Sequence, residues 1–282
     1  MDVKHLVMLA LQVSILATTF GFGLRATPRD VSFLLRHPLL LGKSLIAMFL
    51  IMPLVATAMV SLFDLTPTLG IALVALSVAP LPPLIPKRLN QAGGYAPYGI
   101  ALMATVAVLS VVIVPLAGEL ASQLLHRPVG IGAGTVAVVV LKTVLVPLAA
   151  GMVIRASLPK IAHRIDHPIS VSANILMIVA IVAVVAAAET TLRSLIGDGT
   201  ILVMVAFVLI GLAVGHLLGG PEPDDRVVLA ISSSCRHPAM ALAIASAGFS
   251  TANSGATILL YLLVNIIVGL PYTIWQRRKL SI

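Results

Sequence analysis

Nine apolar runs, each near the length of a membrane-crossing helix, follow one another along the chain with only short polar breaks between them. A hydrocarbon layer of about 30 Å is spanned by about 20 helical residues. The runs fall near 6–24, 38–62, 67–91, 96–118, 131–154, 168–188, 199–219, 226–248 and 253–275. In lipid, backbone polar groups must be satisfied within a segment or within a closed barrel. Stretches such as Ile175–Ala188, which reads ILMIVAIVAVVAAA, lack the period-two polarity of a barrel strand. Helix is what remains, so the expected fold class is an all-α polytopic membrane protein forming a single domain over residues 1–282. Composition agrees: 59% of residues are hydrophobic, only 10% are charged, and the mean hydropathy is +1.11. So little charge cannot wet the surface of a soluble domain of this length.

Lys and Arg fix an expected orientation, because cytoplasmic loops hold the excess of basic residues. With the N-terminus outside, the inner loops carry Arg25, Arg29, Arg36, Lys87, Arg88, Arg155, Lys160, Arg164, Arg226, Arg277, Arg278 and Lys279, while the outer side carries only Lys4, Arg127 and Arg193. The net charge of +8 is therefore read as topology, not as a nucleic-acid footprint. The first run is followed by Arg25 and Arg29 and not by a small-residue cleavage site, which reads as a retained helix. A single cysteine, Cys235, excludes an intramolecular disulfide.

Two runs are chemically odd. The third contains Pro80, Pro82, Pro83 and Pro86 within seven residues, followed by Lys87, Arg88 and Asn90. Each proline lacks an N–H and clashes with the preceding turn, so an unbroken helix is not expected there. The eighth contains Ser232-Ser-Ser-Cys-Arg236-His237-Pro238, a polar stretch ending in proline. Irregular backbone at membrane depth is tolerated where protein or a water-filled cavity surrounds it. The two odd runs lie five spans apart and therefore run in opposite directions. Pairing spans 1 with 6, 2 with 7, 3 with 8 and 4 with 9 gives inverted repeats over about 1–120 and 130–282, each with a broken helix near 67–91 or 226–248. Matched interruptions in inverted halves point to a transporter's binding site; the bland alternative is a pair of proline kinks in an inert bundle.

Four stretches then carry a family likeness. They are Phe20-Gly-Phe-Gly-Leu24 before a basic loop, His37-Pro-Leu-Leu-Leu-Gly running on to Phe49-Leu-Ile-Met-Pro53-Leu, Ala79-Pro80 opening the proline-rich run, and Asn265-Ile-Ile-Val-Gly with Trp275 and a basic tail. In order and spacing they resemble the bile acid:sodium symporter superfamily over nearly the whole chain. The resemblance implies a panel domain and a core domain, with two discontinuous helices crossing in the core. It also exposes departures. Sodium-coupled members present an acidic residue, then Gln and Asn, in the second crossing helix; those positions here read Ser232, Arg236 and His237. A Ser-Asn pair at the first crossing falls on Ile85 and Pro86, hydroxyl ligands of the next helix on Gly99 and Met103, and a Gln before the second-span proline on Met48. Sodium is a hard cation that needs oxygen ligands, so sodium is a doubtful partner.

Arg236 is the first candidate for substrate binding. A charge at the bilayer centre costs about 2.5–3.5 kcal/mol on insertion scales, so it faces a cavity or a partner. It either stands where a bound cation would and meets an anionic solute, or clamps carbonyls freed by the broken helices. Lys142 lies mid-span, with the solute path as one reading and a snorkelling stem as the other. Lys87 is expected at the cavity, and Arg88 at the inner surface. His237 is either proton-coupling or a hydrogen-bonded structural group; Asn265, Thr18, Thr19 and Asn90 are polar groups that line the cavity or tie helices together. His216 reads as structural. Pro80, Pro82, Pro83, Pro86 and Pro238 are the expected helix breaks. No metal spacing, nucleophile elbow or phosphate loop occurs in the sequence, so no enzyme, metal or cofactor is expected. The resulting expectation is a secondary transporter of a small organic anion in a bacterial inner membrane, sodium-independent. The alternatives are a sodium symporter using other ligands and a sensor or scaffold built on a transporter fold.

Overall fold

The computed structural model describes residues 3–82, 85–125, 133–187, 189, 190, 195, 199–248 and 254–280. Among these every regular element is helical. α1 is Val3–Arg25 and α2 the single turn Pro28–Val31. The next span is α3 (Pro38–Leu45), a π-helical stretch Ile46–Ile51 and α4 (Met52–Leu62). α5 is Pro67–Val78, α6 Ile85–Gln91 and α7 Ala96–Leu125. α8 (Ala133–Val140), a second π-helical stretch Leu141–Leu145 and α9 (Val146–Ser157) form one span. α10 is Pro159–Ala187, α11 Thr200–Leu218, α12 Pro223–Ser234, α13 Pro238–Gly248 and α14 Ser254–Leu280. Six of these segments are long and apolar enough to cross a membrane. The chain is an all-α polytopic membrane protein.

Six of the nine apolar runs fall on helices long and apolar enough to cross a membrane, and hydropathy did not fix their ends. α10 starts at Pro159, well before residue 168, because an apolar window marks entry into lipid and not the onset of helix. Its early turns are polar, and Asp166 there takes Arg25 Nε at 2.8 Å while Ser170 takes Arg25 Nη2 at 2.9 Å. The break between the first two spans is organised by a capping box on α2. Asp30 N–H donates to Thr27 Oγ1 at 3.3 Å, and Thr27 N–H donates to Asp30 Oδ2 at 2.7 Å.

Helices sort into two packing groups. α1 packs against α9 and α10. At that seam Gly23 and Gly151 let backbones approach, since a Cβ on Gly23 would lie 2.2 Å from Leu148 O. In the second group α11 lies along α12 and α14, α4 along α5, and α6 along α7. Glycine again permits the closest seam, with a Cβ on Gly215 falling 2.3 Å from the carbonyl of Leu229. Buried apolar residues of this group, including Leu73, Leu76, Phe207, Val228 and Met240, make up most of a continuous core that also takes in Phe22, Val140 and Leu148.

Candidate site where the broken helices cross

α5 ends at Val78 because Ala79 turns to an extended ψ of 143° and Pro80 follows; helix resumes at Ile85. The first break falls in the proline-rich stretch, but Pro86, expected as a helix break, lies within helix. Pro80 and Pro82 lie within it, Pro83 falls outside the described residues, and Pro86 sits in the backbone of α6. The second break is shorter. α12 ends at Ser234, Cys235 is extended with φ −107° and ψ 130°, and Pro238 opens α13 at the helical position it suits best. α13 packs along α5 and α12 along α6, so the half-helices exchange partners. At the crossing His237 N–H donates to Pro80 O at 2.8 Å.

Arg236 lies in the second break, 2% exposed. Nη1 donates to Ala79 O at 3.4 Å and Nη2 to Met48 O at 3.3 Å. Both acceptors are carbonyls that their own helices leave unserved. Ala79 follows the last turn of α5, where C-terminal carbonyls have no intrahelical donor. Met48 lies in the π-helical stretch, where Met52 N–H goes to Ala47 O; the next donor in register would be residue 53, which is proline. A guanidinium thus sits at the negative end of α5 and on a carbonyl orphaned by a proline. Both bonds are long, so neither saturates the charge.

His237 is likewise 2% exposed. Its Nδ1 accepts from Met240 N–H at 3.4 Å, which caps α13 and assigns the ring proton to Nε2. Ser232 Oγ, Ser233 Oγ, Arg236 Nε and His237 Nε2 are buried without a partner among the described residues. All four can donate. On the far side, Tyr261 O–H and Asn265 Nδ2 both donate to Ser234 O, the latter at 2.7 Å, closing the end of α12.

The other sequence candidates are placed as follows. Asn265 is buried at the crossing. Arg88 is turned inward onto Asn265 and Cys235, where the sequence placed it at the inner surface. Of Lys87 only the backbone, within α6, is described. Asn90 is exposed near the end of α6. Thr18 and Thr19 are buried on α1, their hydroxyls donating to Ser14 O and Ile15 O at 2.7 and 2.9 Å. Lys142 lies in the second π-helical stretch with an exposed side chain. His216 bonds Tyr272 Oη through Nδ1 at 2.8 Å, in keeping with its structural reading. Sequence reasoning missed Tyr261, although Tyr261, Asn265 and Gly269 stand at a spacing of four on one face of α14. A separate concavity of about 630 Å³ lies between the start of α3, Tyr95 and the residues leading into α12, with Arg36 and Lys43 on one side and Glu222, Asp224 and Asp225 on the other.

Crossed, interrupted helices carrying polar groups in an otherwise apolar bundle define a secondary membrane transporter. The family model of the sodium bile acid symporters matches residues 12–195, and the chain belongs to that family. The match includes the first break and ends before the second. Comparison with curated proteins returned no match.

Proposed function

We propose that this chain carries a small organic anion across a bacterial inner membrane without sodium, by alternating access about the crossed breaks, with its N-terminus outside and its C-terminus in the cytoplasm. The observation that carries this reading is the Arg236 guanidinium, held on Ala79 O and Met48 O with carbonyls and not a carboxylate as partners. A cation-binding family site without a carboxylate and with a built-in cation has no electrostatic need for a dissolved one. The buried donors around it, Arg236 Nε, His237 Nε2 and two serine hydroxyls, suit an acceptor-rich anion beside the positive N-terminus of α13. Lys142, exposed in the middle of its span, supplies a second positive charge on the solute path, and Asn265 supplies polar lining at the crossing.

The test is counterflow of radiolabelled carboxylates and organic sulfonates in proteoliposomes with choline replacing sodium. Exchange that persists in choline supports the proposal. Exchange that collapses without sodium overturns its coupling claim. No exchange with any anion tested overturns the transport claim and favours a sensor on a transporter scaffold.

A further inference from the structure

Both broken helices end a half-helix at the crossing, and each of those ends is met by an arginine from the other broken helix. Arg236, in the second break, serves the end of α5. Arg88, on α6 of the first, reaches the end of α12 through the Cys235 side chain and Asn265 and not through a carbonyl of that helix. Its Nη1 donates to Asn265 Oδ1 at 2.5 Å and lies 3.4 Å from Cys235 Sγ, and its Nη2 donates to Asn265 O at 3.3 Å. Cys235 is the residue on which α12 stops.

α14 is shaped to receive this guanidinium. Asn265 and Gly269 are one turn apart, and a Cβ on Gly269 would stand 2.7 Å from Arg88 Nη2. The amide is oriented by the same contact. With Oδ1 on Arg88, Nδ2 is turned to Ser234 O, the last carbonyl of α12, which Tyr261 also holds. Tyr261, Asn265 and Gly269 therefore present a phenol, an amide and a notch on successive turns.

The electrostatic reason is symmetrical. A helix C-terminus carries roughly half an elementary negative charge, and the ends of α5 and α12 lie in apolar surroundings, where terminal carbonyls left without a donor are costly. We infer that Arg88 is the second resident cation of the crossing, the counterpart of Arg236, seated in the Asn265–Gly269 notch to neutralise the end of α12 and to fix the Asn265 amide. The inference rests on the reading of the crossing as a transport site that carries its own cations. Arg88 is a positioning residue, acting on solute through Asn265 and the α12 end.

Cys235, the only cysteine of the chain and partly exposed, is a built-in reporter. Full-length protein in liposomes is reacted with methanethiosulfonates of similar size, one bearing a sulfonate and one a trimethylammonium. The native chain is expected to prefer the anionic reagent. Arg88→Met lowers the anionic-to-cationic rate ratio about tenfold, the scale for losing a unit charge about 6 Å from reagents of opposite sign at a water-like dielectric. Arg88→Lys keeps most of the preference. Gly269→Ala keeps the charge and puts a better helix former at that position, but closes the notch, and gives an intermediate ratio. A ratio that Arg88→Met leaves unchanged overturns the inference. Should Cys235 resist both reagents, the melting temperature decides: a loss in Arg88→Met that Arg88→Lys restores supports the inference, and a native value in Arg88→Met overturns it. Labelling reads charge at Cys235 whether or not solute moves, so failure of sodium-free transport and failure of this inference are separate results.

Discussion

Two spans of this protein contain the same backbone defect, and only one of them is used at the crossing. In the second span, Ile46–Ile51 is π-helical and Pro53 follows; in the fifth, Leu141–Leu145 is π-helical and Pro147 follows. In each, the first amide after the stretch reaches back five residues, Met52 to Ala47 O and Val146 to Leu141 O. The next residue is a proline without an N–H, so the carbonyl five positions before it loses its helical donor. Those carbonyls belong to Met48 and Lys142. Met48 is buried and its carbonyl takes Arg236. Lys142 is exposed and supplies a side-chain charge instead. A proline-induced π turn is thus a general way to expose a carbonyl at membrane depth, and what packs against it decides whether that carbonyl becomes part of a site.

The largest expected break of this comparison is Arg236→Ala. It removes the cation that holds the Ala79 and Met48 carbonyls and leaves both buried without a donor. Initial transport rates in proteoliposomes should fall at least tenfold, the equivalent of about 1.4 kcal/mol or more. Detergent-solubilised protein should also melt earlier. An unaltered rate at normal membrane level would remove Arg236 from the site. Pro53→Ala sharpens the point without touching the charge. Residue 53 then has an N–H in register with Met48 O, which competes with Arg236. The span should gain thermal stability while transport drops severalfold, a split that simple destabilisation does not produce.

A smaller effect is expected from Lys142→Met. If the lysine attracts solute to the path without holding it in the transition between states, KM should rise a few fold with the maximal rate nearly unchanged. The rise should shrink as ionic strength increases, because an exposed charge is screened over about 10 Å at 0.1 M salt. A fall in the maximal rate alone would move Lys142 from attraction to gating.

These distinctions follow what was and was not legible beforehand. Apolar runs located the spans, since lipid leaves a helix no alternative to internal hydrogen bonding. Prolines and the Ser-Arg-His stretch marked both breaks, because each disrupts a helix by a local mechanism that needs no partner. Arg236 was visible as a charge without a neighbour in sequence. Arg88 was not, because its place depends on Asn265, 177 residues further on. Near the end of a span, a basic residue reads as a surface marker until the helix that receives it is known. The π turns were hidden for a related reason. Proline is plain in sequence, but the freed carbonyl lies five residues upstream, and whether the chain answers with a kink, an α-helical gap or a π turn depends on packing.

Pro147→Ala carries the smallest expected effect and separates two explanations of everything above. It restores a donor to the Lys142 carbonyl as Pro53→Ala does to that of Met48, but no arginine contests that bond. If the bond between a freed carbonyl and Arg236 is what matters, Pro147→Ala should change transport less than about twofold, under 0.5 kcal/mol, while stabilising its span as Pro53→Ala does. If instead both π turns act as hinges for relative motion of the two packing groups, straightening either should slow transport alike. Equal losses in the two variants would therefore shift the role of Pro53 from presenting a carbonyl to bending a helix, and Arg236 would become a consequence of that bend.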